Sequence, residues 1–168
     1  MTEQIHTSNT FLDLYAKGPE DLESAIAGLT ETGLDAALTG ESWSIRQIIH
    51  HIVDGDDIWK MCIKAALVPP QRVFSFQWYW DIPQVEWAQK WDYAGRSVEP
   101  SLALFRANRQ HIVQLLSQRP DAWEQTIPFQ WPEGEACSLA ISTIIQMQTN
   151  HVVGHINDIV EIRKAHNL

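Results

Sequence analysis

The sequence predicts an all-α protein, a four-helix bundle with long Trp-rich connections. Three observations predict it. Apolar residues recur at helical spacing in four long stretches, Pro and Gly clusters separate those stretches, and strand patterns are scarce. At 168 residues the chain fits one domain, 1–168, with enough length to bury a core without staples.

The first helical stretch is split, because "NTFLDLYAK" meets Gly18-Pro19 and "PEDLESAIAGL" restarts with proline in its first turn and acids after it. "TETGLDAALTGE" reads as a loop or short turn. A second helix starts near Ser44, carries Ile45, Ile48, Ile49, Ile52, Trp59 and Ile63 at helical spacing, and must stop before Pro69-Pro70. The segment "QRVFSFQWYWDIPQVEWAQKWDYAGRS" has no clean period and reads as a connection with room for one short helix. Four of the chain's eight tryptophans fall in it, between Trp78 and Trp91. "VFSFQWYW" alternates briefly, but its neighbours offer no partner strand. The third helix is "EPSLALFRANRQHIVQLLSQ", with Leu104, Phe105, Asn108, Ile112, Leu115 and Leu116 on one face. A second connection, "DAWEQTIPFQWPEGEACS", is broken by Pro128, Pro132 and Gly134, and the fourth helix runs from about Ser138 to Lys164.

A net charge of −9 argues against a nucleic-acid surface and against binding to anionic membranes. The first ten residues show neither a basic region nor an apolar run, so no secretory signal is expected. Two isolated cysteines, Cys62 and Cys137, fit a reduced, cytoplasmic setting rather than a disulfide framework.

The chemistry concentrates in "HVVGHINDI". His151 and His155 are one turn apart on a face shared with Ile144, Gln148, Ile159 and Ile162. Two inward imidazoles four residues apart are either core residues whose nitrogens find partners or metal ligands. An open catalytic site needs three protein ligands. His6, His50, His51, His111, His166 and the carboxylates are candidates for the third. On the second helix His51 falls on the margin of the apolar face, whereas His50 lies nearly opposite, beside Asp54 and Asp57, and should be solvated. His111 sits near an apolar edge and stays in reserve; His6 and His166 should be surface residues. Val152 follows His151, so the glutamate of a zinc-peptidase motif is missing.

The stretch "GLTETGLDAALTGESWSIRQIIHHIVDGD", followed about a hundred residues later by "HVVGHINDI", resembles the DinB-like superfamily, in particular its YfiT-like, bacillithiol transferase-like branch. The matching residues are Trp43, Ser44, His51, Asp54, His151 and His155, and "LFRANRQHIVQLL" resembles the family's third helix, with Arg109 in place. The resemblance runs from about Leu12 to Lys164. It implies a four-helix bundle with one divalent metal, zinc or nickel, on His51, His151 and His155. It also implies a homodimer and S-transfer or isomerisation with a low-molecular-weight thiol and a small-molecule partner. Three neutral histidines leave the ion its full charge and an open position, which would activate a thiol or a water. Metal-dependent hydrolysis is thus the near alternative. A non-catalytic protein with a structural metal or a small-ligand pocket is the other, and a fourth ligand such as His111 would favour it.

Other candidates keep two readings each. Asp54 and Asp158 are solvated face residues or orient a ligand. Arg106 and Arg109 are exposed helical arginines or bind a substrate carboxylate. The tryptophans cap the bundle end or roof a pocket over an apolar or aromatic substrate.

Overall fold

The computed structural model describes residues 2–69 and 72–168, with side chains from residue 11 onward. Four long helices form the bundle: α1 (Thr2–Ile26), α3 (Ile45–Ala66), α6 (Glu99–Ser117) and α7 (Ile141–His166). A one-turn helix α2 (Glu31–Leu34) precedes α3. Helix α1 packs against α6 and α7, and α3 packs against the same two, so α1 and α3 stand diagonally opposite.

The expected split at Gly18-Pro19 does not occur; α1 runs straight through with Pro19 inside it. Proline has no N–H, so the Tyr15 carbonyl one turn earlier loses its helical donor. Arg109 of α6 replaces that donor, its Nη1 donating to Tyr15 O at 3.0 Å. Gly18 lies beside this contact, where a Cβ would meet the same Nη1 at 3.5 Å, an ordinary van der Waals distance.

Helix α3 begins where expected. Ser44 is its N-cap in a capping box, with the Ser44 N–H donating to Gln47 Oε1 at 2.9 Å. Buried Arg46 ties α2 to α3 through Asp35 and Glu31, each at 2.7 Å.

The two connections hold more structure than their sequences suggest. The first contains strand β1 (Phe74–Ser75) and helices α4 (Gln77–Trp80) and α5 (Gln84–Lys90). The second contains a short 3₁₀ turn (Pro120–Glu124), then β2 (Thr126–Gln130) and β3 (Cys137–Ala140). The sheet order is β1-β2-β3: β1 runs parallel to β2 with Phe74 opposite Phe129, and β2 and β3 pair antiparallel with Thr126 opposite Ala140. The partner that "VFSFQWYW" lacked locally therefore comes from the other connection. It also shortens the last helix at its start, because Ser138–Ala140 belongs to β3. Aromatic rings fill this end of the molecule: Trp59 stacks on Phe129, Trp80 on Trp131 and Tyr79 on Trp87.

The bundle interior has two apolar clusters. One gathers Leu22, Ile45, Ile49, Ile52, Phe105 and Ile159. The other gathers Tyr15, Ile63, Ile112, Ile144, Ile145 and Phe129. Arg109, 1% exposed, lies between them, 3.6 Å over the Tyr15 ring and 4.9 Å from that of Phe105. Its Nε donates to Asp56 Oδ1 at 2.7 Å and its Nη2 to Gln148 O at 3.2 Å. Removing one member of such a buried pair strands the other charge, at a cost of about 3–5 kcal/mol. Arg109→Met is therefore expected to destabilise the protein by about that much in urea unfolding, and Arg109→Met with Asp56→Leu to recover part of it, the Tyr15 carbonyl staying without its donor. A double variant no more stable than Arg109→Met would contradict this account.

Candidate metal centre

His51 lies two turns into α3, and His151 and His155 lie in the middle of α7, so the three rings meet across the α3–α7 seam. The Nε2 atoms of His51 and His151 are 3.0 Å apart, and those of His151 and His155 are 3.1 Å apart. The rings stand edge to face, at 74° between His51 and His151 and 83° between His151 and His155. This is the only grouping of metal-ligating side chains among the described residues in which three ligand atoms converge, all within 4.8 Å. The three histidines are half-buried rather than sealed in the core.

These residues fit a divalent ion. Metal–nitrogen bonds of about 2.0–2.1 Å put neighbouring ligand nitrogens roughly 3.0–3.4 Å apart, which matches the spacing. Three converging Nε2 atoms also share a problem that one proton cannot solve, because a single N–H satisfies one pair at a time. One cation among them satisfies all three lone pairs.

Protonation works the same way. Burial first, and the neighbouring imidazoles second, push His51 down to about 3. Burial, His155 and Arg109 push His151 down to about 4. Both rings are neutral near pH 7, the form that binds metals. Asp158 Oδ2 lies 2.9 Å from His155 Nδ1, so the ring donates there and turns its Nε2 lone pair to the centre. Trp43 sets its edge against His51 with centroids 4.6 Å apart. The Nδ1 atoms of His51 and His151 are buried without a partner.

Several sequence expectations need correction. His50 is not solvated but fully buried. The far side of α3, polar in its helical phase, is covered by the first turn of α6 and the residues leading into it. His50 Nδ1 is 2.8 Å from Ser101 Oγ and 3.1 Å from Arg96 Nη2, and its Nε2 is 3.3 Å from Arg96 O. A guanidinium only donates and a carbonyl only accepts, so the His50 proton sits on Nε2. Burial holds the ring's pKa down to about 4. Arg109 is buried and fully engaged, so it is not available to a substrate. Arg106 is an exposed arginine paired with Glu23. His111 is exposed and stands outside the trio. His166 is exposed, near Ala37 O at 2.8 Å, and the side chain of His6 lies outside the described residues. Asp158, for which the sequence left two readings, is bonded to His155, and the i, i+3 step from His155 was its signal. Asp54 is half-buried, bonded to Arg96 at 3.5 Å, and burial raises its carboxyl above the ordinary range.

An all-α bundle with three histidines converging across one helix seam defines the class: a helical-bundle protein with a candidate metal centre. The family model of the DinB superfamily matches residues 14–159. The chain belongs to that superfamily. It is 25% identical over 146 residues to the "Putative metal-dependent hydrolase" of Geobacillus thermodenitrificans, covering 87% of this chain and 78% of that one. A protein of the same description from Oceanobacillus iheyensis is 27% identical over 143 residues, covering 84% and 78%. Among solved structures, Bacillus subtilis YfiT, described as "a probable metal-dependent hydrolase with an unusual four-helix bundle topology", superposes with a TM-score of 0.81. It is 18% identical, with 95% of this chain and 87% of that one covered. The likeness establishes the bundle fold. No helix among the described residues is long and apolar enough to cross a membrane.

Two outcomes are expected. Asp158→Asn, which removes the carboxylate from His155, weakens divalent-metal affinity about 10-fold or more, as read by chelator competition. In metal-free protein, the urea midpoint falls as pH drops from about 6.5 toward 4. His51 and His151 take up protons at their ordinary 6.5 only when unfolded, so their lowered folded values withdraw stability across that window. A midpoint unchanged between pH 7 and pH 5 would contradict the buried, neutral assignment.

Proposed function

We propose that His51, His151 and His155 hold one divalent ion, zinc or nickel, and that the chain is a metal-dependent enzyme transferring a low-molecular-weight thiol to an electrophile. The convergence of three Nε2 atoms on one point carries the reading. A structural site closes with four protein ligands, whereas the trio stands without a fourth among the described residues. That leaves a position for a reactant and favours catalysis over a structural role.

The bound ion supplies Lewis acidity, which makes a thiol or a water nucleophilic at neutral pH. The protein's own side chains do the rest. His51 and His151 stay neutral, so these two ligands add no charge to offset the ion. Asp158 holds the His155 proton at Nδ1 and fixes the direction of Nε2. Trp43 holds the His51 ring at its edge. In the transfer, the thiol sulfur forms a bond to the electrophilic carbon, the leaving group departs with its bonding pair, and the thiol proton passes to solvent. A thiolate needs no protein base once deprotonated, and among the described residues no carboxylate oxygen converges with the three histidine nitrogens. The names of the relatives favour a second reading, hydrolysis by water at the same centre. Either reading involves a small-molecule substrate rather than nucleic acid or a membrane, a cytoplasmic setting and a homodimer.

Purified protein is expected to hold about one divalent ion per chain by elemental analysis. His51→Ala and His151→Ala lose it, and His50→Ala keeps it. Undiminished metal in both of the first two variants would remove the centre. Thiol consumption against alkylating and conjugate-addition electrophiles is expected only in metal-loaded protein. Ester or amide cleavage without added thiol, and no thiol turnover, would select hydrolysis instead.

A further inference from the structure

The first connection folds back across the outer face of α3 and encloses a cavity of about 570 Å³. Phe74, Phe76, Trp78, Trp91, Ile58 and Met61 form its apolar walls. Asp54, Asp57 and Arg96 form its polar edge. Two rim residues, Trp78 and Met61, remain about half exposed, at 52% and 53%. A tryptophan and a methionine left open beside an aromatic-walled cavity suit a ligand with an apolar body.

The cavity and the histidine trio share helix α3, and none of the three histidines lines the cavity. Asp54 and Ile58 come three and seven residues after His51 on α3. Helical geometry places them about 60° and about 20° round the axis from it, and roughly 4.5 Å and 10.5 Å along it. Asp57 and Met61, its other α3 residues, lie about 120° and about 80° round on the same side, so the cavity begins one turn along α3 from His51.

The polar edge is unbalanced. Asp57 is ion-paired with Lys60, whereas Asp54 faces only the Arg96 guanidinium. Asp57 uses Oδ1 for both of its partners, Lys60 at 2.6 Å and Asn108 at 3.0 Å. Asp54 has one charged partner, Arg96 at 3.5 Å, well beyond the roughly 2.7–2.9 Å of a strong ion-pair hydrogen bond. Arg96 is held back from it, since the same Nη2 donates to His50 at 3.1 Å and the guanidinium lies 5.4 Å over the Tyr93 ring. Aromatic faces beside an under-compensated carboxylate, here Asp54, attract an organic cation, through the ring quadrupoles and the carboxylate charge together.

We propose that this cavity is the substrate pocket of the histidine centre and that its ligand is an ammonium compound with an aromatic or apolar body. The ammonium group lies against Asp54, and the body packs on Phe76, Trp78 and Trp91. The catalytic side of this assignment rests on the proposed function; the binding side does not, because Asp54 does not belong to the trio.

The test compares three probes of one shape on the metal-loaded full chain at pH 7, by tryptophan fluorescence and calorimetry: 2-phenylethylammonium, 2-phenylethanol and phenylacetate. The ammonium compound is expected to bind about tenfold more tightly than the alcohol, with phenylacetate weakest. Asp54→Asn should remove most of the advantage over the alcohol. Trp78→Ala, at the exposed rim, should weaken the ammonium compound about fivefold with metal content unchanged. Equal binding of the alcohol, tighter binding of phenylacetate, or an unaltered preference in Asp54→Asn overturns the pocket assignment. His151→Ala protein separates the two proposals: amine binding retained there with metal lost supports the pocket independently of the centre. Amine binding absent from both proteins while metal-dependent turnover persists overturns the pocket alone.

Discussion

The bundle depends on one guanidinium. Arg109 projects from α6 into the middle of the molecule and takes one acceptor from each of the other three long helices: Tyr15 O on α1, Asp56 on α3 and Gln148 O on α7. Its planar fork and fixed charge suit this task in a way a lysine does not. Each contact also settles a local difficulty. The Tyr15 carbonyl is the acceptor orphaned by Pro19, and the Asp56 carboxylate is a charge that could not stay buried alone. Gln148 is three residues ahead of His151, and Asp56 is five beyond His51. The contact that locks the four helices thus also fixes the axial register of α3 against α7, the seam where the three histidines meet.

That register explains why neighbouring residues have different surroundings. His50 and His51 are about 100° apart on one helix, enough to send one ring toward α6 and the other toward α7. Each is neutral, but for different partners. His50 accepts from the Arg96 guanidinium and donates to the Arg96 carbonyl, pinning the end of the Trp-rich connection. His51 faces two other imidazoles, and its Nε2 has no protein donor beyond them. A buried imidazole with both nitrogens matched is a structural residue; one facing only other acceptors invites a cation.

Much of this was legible in the residues. The apolar period gave the four long helices, the start of α3 was read near Ser44, and helical phase chose His51 over His50 as the partner of His151 and His155. What failed did so for nonlocal reasons. Pro19 stops a helix unless something replaces the lost donor, and that donor is 90 residues away on α6. His50 lies on the polar side of α3 in any local count, and only Arg96 and Ser101 bury it. The strand at Phe74 has no local partner because its partner is Phe129. One nonlocal feature did leave a trace. Asp56 is four residues after Ile52, and Arg109 falls between Phe105 and Ile112. Opposite charges on two apolar stripes predict a buried pair, a signal that the usual preference for exposed arginines concealed.

The support around the three histidines is uneven, and the unevenness has a chemical meaning. Asp158 orients His155 from the solvent side, while the Nδ1 atoms of His51 and His151 face a protein interior with no acceptor. Carboxylate partners make metal-bound imidazoles more basic and the ion less acidic. On the proposed reading, a centre with one such partner keeps more Lewis acidity than one with three, at the expense of affinity. A site built only to hold metal for stability gains nothing from that exchange. A site that must deprotonate a thiol at neutral pH gains directly. The same logic applies to the aromatic connection on the outer face of α3. An open coordination position is useful only where water is displaced by the right reactant, and on that reading the wall of indole and phenyl rings that begins one turn along α3 from His51 would limit water on that side.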